Sequence, residues 1–200
     1  LKKFKFLTYG VMVYNLFHFL HYKKMKDKNF GTIWFTGLSA SGKTTLSRHL
    51  FNDLKKLGNN NIVLLDGEDI RDKLNNYDFD LNSREQVGIQ KAKIALEYNK
   101  KGKIVLISGI AHKKEWRKDI RDMFENYLEI YLRCDASHCA ERDYKGHYKK
   151  AIFGEIDDFI GISEPYEESN DADLILDTKK YSADVCANLL LDKVKKEFNL

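Results

Sequence analysis

Proline is almost missing from this chain, with 1 in 200 residues, and glycine is sparse at 12. Those counts exclude a collagen-like or low-complexity disordered polymer, and with 43% hydrophobic and 32% charged residues the chain should fold. Cysteine is scarce too. Cys134, Cys139 and Cys186 make an odd number without a C-x-x-C pair, which excludes a secreted disulfide framework and fits free thiols in a reducing cytoplasm. His138 lies beside two of them, but a fourth zinc ligand is lacking, so these residues read as structural. There is no strong excess of charge of either sign. Lys and Arg number 34 against 30 Asp and Glu, a net of +4, and the signs are interleaved, which argues against a nucleic-acid binder. At 200 residues the length suits one domain, not a multidomain machine.

A long hydrophobic run is also absent. The apolar stretch from Leu7 to Leu20 is shorter than the roughly 20 residues that span a bilayer, Gly10, Asn15 and His18 interrupt it, and no small-residue cleavage site follows. Residues 1–24 therefore read as an extension separate from a domain at 25–200. A membrane-surface segment and a helix docked on the domain are alternatives. The favoured reading is a leader upstream of the native start, because Leu1 opens the chain and Met25 opens a polar stretch before the first convincing strand. Contact with a membrane is expected only if residues 1–24 are translated.

What the chain does have is alternation. Apolar β-type runs are read at Thr32–Thr36, Ile62–Leu65, Ile104–Ser108, Leu128–Leu132 and Leu174–Leu176. Helical spacing is read at Thr44–Leu57, Arg84–Lys101 and Ser182–Phe198, the last with Ser182 as N-cap. Continuous apolar strands between helices predict an α/β fold with a five-stranded parallel sheet covered on both faces. Between residues 141 and 168 this rhythm gives way to a charged, glycine-dotted stretch, read as a mobile lid.

Gly37-Leu38-Ser39-Ala40-Ser41-Gly42-Lys43-Thr44 satisfies G-x-x-x-x-G-K-[ST] where a strand ends and a helix begins, as a phosphate-binding loop requires. Backbone N–H groups there close around a polyphosphate at a helix N-terminus. Lys43 reaches the β- and γ-phosphates, and the Thr44 hydroxyl is a ligand for Mg²⁺. No Asn-Lys-x-Asp guanine reader is present: Asn99-Lys100-Lys101-Gly102 lacks the acid and lies in a helix tail. Ser108-Gly109-Ile110 follows the third strand, where motor-type ATPases carry an acid. Acids instead follow the second strand, in Leu65-Asp66-Gly67-Glu68-Asp69-Ile70-Arg71. Carboxylates beside such a loop hold metal and orient an attacking hydroxyl, with Arg71 available to an anionic acceptor. A helix-capping acid cluster with a solvated Arg is the alternative. The layout is that of a P-loop small-molecule kinase.

From residue 31 to about 180 the chain resembles the adenylylsulfate (APS) kinases. The resemblance runs through GLSASGKTT (Gly37 to Thr45), LDGEDIR (Leu65 to Arg71), the lid signature Arg142-Asp143-Tyr144-Lys145-Gly146 with Tyr148-Lys149-Lys150-Ala151, then Gly154-Glu155-Ile156, Phe159-Ile160-Gly161-Ile162, Pro165-Tyr166-Glu167 and Asp173 to Thr178. It implies ATP and Mg²⁺ as cofactors and transfer of the γ-phosphate to a ribose 3′-hydroxyl. By the same resemblance Lys43, Asp66 and Glu68 are catalytic, with Thr44 and Glu68 at the metal. ATP is held by Gly37 through Thr45 and by Arg142. The acceptor is held by Asp66, Arg71, Arg84, Ile110, Ala111 and Lys149, with Phe79 and Phe159 sandwiching its base. The partner implied is a small-molecule nucleotide, without nucleic acid, in the cytoplasm, and a homodimer is compatible with it.

Departures from the pattern fall in the acceptor region. Glu68 stands where the family has a second Asp, Val87-Gly88-Ile89-Gln90 where it runs Asn-Ile-Arg-Arg, and Gly109-Ile110-Ala111-His112 where it has Phe-Ile-Ser-Pro, so a serine sometimes taken as a phosphoserine intermediate is absent. The small or apolar residues Val87, Gly88, Gly109 and Ala111 are expected to leave room that alters acceptor choice. APS is the nominal acceptor. A relative in the family phosphorylates cytidine diphosphoramidate in capsule phosphoramidate synthesis, and that nucleotide is the alternative. A non-catalytic nucleotide-binding module is the third reading.

Overall fold

The computed structural model describes residues 29–65, 70 and 80–200. The extension at 1–24 and the residues Asp66, Glu68, Arg71 and Phe79 lie outside the described residues.

Five parallel strands form the sheet: β1 (Gly31–Thr36), β2 (Ile62–Leu65), β3 (Ile104–Ser108), β4 (Tyr127–Arg133) and β5 (Leu174–Asp177). Their spatial order is β2-β3-β1-β4-β5, so β1 occupies the centre with β3 and β4 in register on its two sides. Side chains on β1 alternate between faces, and each face has its own core. Ile33 and Phe35 pack with Leu46, Leu50 and Leu54 of α1 (Lys43–Lys56) and with Leu190, Val194 and Phe198 of α6 (Ala183–Phe198). Trp34 points to the opposite layer, where Ala92 and Ala95 of α2 (Leu81–Lys100) and Ile120 of α3 (Lys114–Asp122) cover Val105 and Ile107. The expected parallel sheet with helices on both faces is the architecture found, with strand limits within a residue or so of those read from sequence.

Local signals explain the helix ends. Asp80 accepts from the Ser83 N–H at 3.0 Å and caps α2, and Ser182 accepts from the Val185 N–H at 3.4 Å and caps α6. At the far end of α2, Asn99 accepts from the Thr32 hydroxyl at 3.0 Å and donates to the carbonyls of Gly31 and Lys103. Asn99, already excluded as a guanine reader by sequence, pins this helix tail to β1.

The stretch read as a lid is partly helical. Two short helices, α4 (Ala136–Glu141) and α5 (His147–Ile152), enter and occupy it. A third, smaller core joins the stretch to the phosphate loop, with Cys134, Cys139, Tyr148, Phe159 and Ile160 packed on Leu38. All three cysteines are buried thiols, and burial together with Cys134 pushes the Cys139 thiol up to about 12.

Candidate active site

The turn from β1 into α1 has the backbone that its glycines allow. Gly37 adopts φ +140°, and a Cβ there would come within 2.6 Å of the Leu132 carbonyl oxygen, so this bend next to β4 accepts only glycine. The N-terminus of α1 has no side-chain cap, which leaves its first-turn N–H groups directed at the space in front of the loop. Lys43 Nζ donates to the carbonyl of Gly37 at 3.0 Å and to that of Leu38. Enclosure of that ammonium lowers it from 10.5 to about 8, with Cys139 opposing the shift and the cations of Lys91 and Arg84 adding to it. Thr178 donates to the Ser41 carbonyl at 3.1 Å and Arg142 to the Thr178 carbonyl at 2.8 Å, so β5 and the lid edge both brace the loop.

One cavity of about 890 Å³ opens in front of this loop. It brings together Ser39, Ala40, Ser41, Gly42, Lys43, Thr44 and Thr45 with Arg84, Ile110, Ala111, Arg142 and Phe159. Gly37 and Leu38 underlie the loop and do not line it. Lys149 is exposed and is not brought to the cavity, because Tyr148 takes the inward position of α5, while Lys145 and His147 line the wall.

Other lining residues carry no motif. Lys91 is buried on α2 and donates to the Ser108 carbonyl at 2.8 Å. Trp34, His112 and Trp116 also line the cavity. A Cβ on Gly88 would sit 2.4 Å from Trp116 Cζ2, and one on Gly109 would sit 2.9 Å from Trp34 Cζ2. This corrects the expectation that these glycines leave room: the two indoles occupy it, because each glycine lets a large ring approach the backbone closely. Trp34 Nε1, Trp116 Nε1 and both ring nitrogens of His112 are buried without a hydrogen-bond partner. Leaving such a group unpaired costs about 1–3 kcal/mol, and native interiors rarely leave several together.

The wall that carries His112 is held firmly. Arg117 donates to the Ala111 carbonyl at 2.7 Å and to the Glu167 carbonyl at 2.6 Å, and the Glu167 N–H donates to the His112 carbonyl at 2.9 Å. Thr36 at the end of β1 donates to the Ile110 carbonyl. Ala111 has a left-handed φ of +44°, a conformation that this bonding pattern imposes on it.

A phosphate loop and a walled, largely apolar recess in a single cavity is the layout of a phosphotransferase that holds donor and acceptor side by side. The family model for adenylylsulphate kinase matches residues 29–177. The chain belongs to the adenylylsulfate kinase family. An adenylyl-sulfate kinase of Bacillus licheniformis is 36% identical over 178 residues, covering 88% of this chain and 89% of that protein. A cytidine diphosphoramidate kinase of Campylobacter jejuni is also 36% identical, over 163 residues, covering 82% of this chain and 91% of that one. Among solved structures, an APS kinase of Mycobacterium tuberculosis in complex with AMPPNP and APS superposes with a TM-score of 0.76 at 30% identity, covering 83% of this chain and 98% of the other. Kinase chemistry, phosphoryl transfer to a hydroxyl, is thus the chemistry of this family's site. Overall identity does not separate the two named acceptors.

Proposed function

We propose that the protein is an ATP-dependent kinase that phosphorylates the ribose 3′-hydroxyl of a nucleotide bearing a small anionic group on its 5′-phosphate, with adenylyl sulfate as the nominal acceptor. The observation that carries this reading is the single cavity in which Lys43 and the uncapped α1 N-terminus meet Arg84 and Phe159. ATP phosphates lie along the loop backbone, and Lys43 stabilises charge gathering on the transferred group. The acceptor oxygen attacks Pγ, the bond from Pγ to the β,γ-bridging oxygen breaks, and ADP leaves. The hydroxyl proton passes to a carboxylate, a role given to Asp66 with Glu68 beside it.

The exposed Thr44 hydroxyl lines the cavity at the start of α1, a hard oxygen donor that suits Mg²⁺, which when bound would neutralise phosphate charge. Glu68 completes that donor set by resemblance. Arg84, on α2, lies near enough to lower the ammonium of Lys43 electrostatically, which supports its assignment to the anionic end of the acceptor.

A second acceptor, cytidine diphosphoramidate, is kept as the alternative because a kinase of that name is as similar to this chain as the adenylyl-sulfate kinases are, and because residues 87–90 and 109–112 depart from the APS kinase pattern. The experiment offers adenylyl sulfate and cytidine diphosphoramidate side by side with Mg·ATP and places the new phosphate by ³¹P NMR. A 3′-phosphorylated product from either supports the kinase reading, and the larger kcat/KM names the acceptor. ATP binding without turnover of any nucleotide acceptor would return the chain to a non-catalytic module.

A further inference from the structure

We infer that Lys91 is a second phosphate-directed lysine, whose ammonium binds a tetrahedral oxyanion where donor and acceptor meet: the γ-phosphate of ATP or the anion on the acceptor's 5′-phosphate. The inference rests on the reading of the cavity as a kinase site. Four residues of α2 at helical spacing, Arg84, Val87, Gly88 and Lys91, line that cavity, so they form the face that the helix turns toward it. Only the first and last carry charge, two turns and roughly 10 Å apart along the axis. Lys91 is 6% exposed, and the next residues of α2 on the core side, Ala92 and Ala95, are packed in an apolar layer. Enclosing an ammonium there costs free energy that a neutral side chain of the same length would not.

Its contacts place the charge at the phosphate loop. Lys91 Nζ donates to the Ser108 carbonyl at 2.8 Å, and Ser108 itself lines the cavity at the end of β3. From there Ser108 Oγ lies 3.1 Å from Ser47 Oγ, and Ser47 donates to the Thr44 carbonyl at 3.1 Å, so a short polar chain links Lys91 to the first turn of α1. Among the causes that lower the Lys43 ammonium, burial leads, and the charges of Lys91 and then Arg84 follow. Three cations thus share one enclosure, where like charges disfavour one another and an anion among them relieves all three. Among the described lining residues the only carboxylate is that of Asp143, which accepts the Tyr148 N–H at 2.8 Å. A lysine ammonium is a compact point charge, and its bonds to phosphate-type oxygens are charge-assisted.

The test measures binding of AMPPNP, ADP, adenylyl sulfate and cytidine diphosphoramidate, each offered alone with Mg²⁺, by titration calorimetry on the wild type and on Lys91→Met, which keeps the length of the side chain and removes its charge. The expected result, given the link to α1, is a loss of about tenfold or more in AMPPNP affinity with ADP changed less than about threefold, which assigns the ammonium to the γ-phosphate. The same loss for an acceptor that the wild type binds, with AMPPNP retained, also supports the proposal and assigns it to the acceptor's anion. A lysine that only ties α2 to β3 would move AMPPNP and ADP together, and that outcome overturns the proposal, as do four affinities all within about threefold of wild type. Lys91→Gln, neutral but able to donate to Ser108, replaces the methionine variant if the latter does not fold; failure of both to fold overturns the proposal in favour of a structural lysine. If anion binding depends on Lys91 but the wild type phosphorylates no nucleotide acceptor, the kinase reading falls and the anion contact stands. Normal turnover with affinities indifferent to Lys91 gives the reverse.

Discussion

An ammonium held near pKa 8 in the phosphate loop is a charge kept at a cost, and a nucleotide would relieve it. A depression from 10.5 to about 8 corresponds to about 3 kcal/mol of differential interaction between the charged and neutral forms. Phosphate binding requires the charged form, so the sign of the pH effect is fixed. Below pH 8 free Lys43 is already protonated. Above it the free protein has lost that proton, and ATP must bring one back. ATP affinity should therefore weaken as pH rises through about 8, with proton uptake approaching one per nucleotide, measurable by titration calorimetry in buffers of different ionisation enthalpy. Lys43→Ala should abolish that uptake and lower kcat by at least roughly 100-fold, with Tm little changed. Lys43 was legible in the sequence because the glycine and lysine spacing of a phosphate loop is local. His112, Trp34 and Trp116 were not, because their juxtaposition depends on β1, α3, the turn after β3 and Gly88 of α2 meeting in space. The one sequence signal was negative, the departure from the family pattern at residues 87–90 and 109–112.

Among the elements, α3 does the least expected work. Its sequence KEWRKDIRD buries only Arg117 and Ile120, so it offers no apolar run, and no helix is read there from sequence. In fact Arg117 faces Glu129 of β4, with Nε 3.4 Å from Oε1 and both side chains about 5% exposed or less. Ser169 donates to the same carboxylate, while Arg121 approaches it at 3.6 Å and pairs with Asp173 at 2.8 Å. The network fastens α3, β4 and the segment before β5 to the wall that carries Ala111 and His112. The strands were legible because runs such as Ile104–Ile107 are apolar throughout, but a paired charge inside such a layer leaves no periodic signature. Glu129→Gln removes the partner of a buried guanidinium and should destabilise the fold by about 3 kcal/mol. Thermal unfolding should show Tm lower by roughly 6–12 °C for a chain of this size. A shift under about 2 °C would mean that the network is not load-carrying in solution.

At the scale of the whole molecule, the phosphate loop and Phe159 are joined by one side chain of the 141–168 stretch. Tyr148 is almost fully buried, its hydroxyl donates to the Ser39 carbonyl in the phosphate loop at 3.0 Å, and its ring meets Phe159 edge-on at 4.9 Å. Asp143 supports it from behind by accepting the Tyr148 N–H at 2.8 Å. The lid's outer side is apolar and exposed at Ile152 and Phe153, so the ordering comes from the inner contacts. A nucleotide that fixes the Ser39 backbone therefore fixes Tyr148, and through its ring Phe159, which the proposed function assigns to the acceptor. The two ligands should then bind with positive coupling. Acceptor Kd measured with AMPPNP and Mg²⁺ should be at least about fivefold lower than without them, within the usual range for linked sites. Tyr148→Phe deletes only the hydroxyl bond, worth about 1 kcal/mol, and keeps the ring contact. It should bring the coupling ratio close to 1 while changing acceptor affinity in the absence of nucleotide by less than about twofold. If the ratio survives in that variant, the lid's communication runs through the backbone of α5 and Asp143, and Asp143→Ala becomes the variant that breaks it.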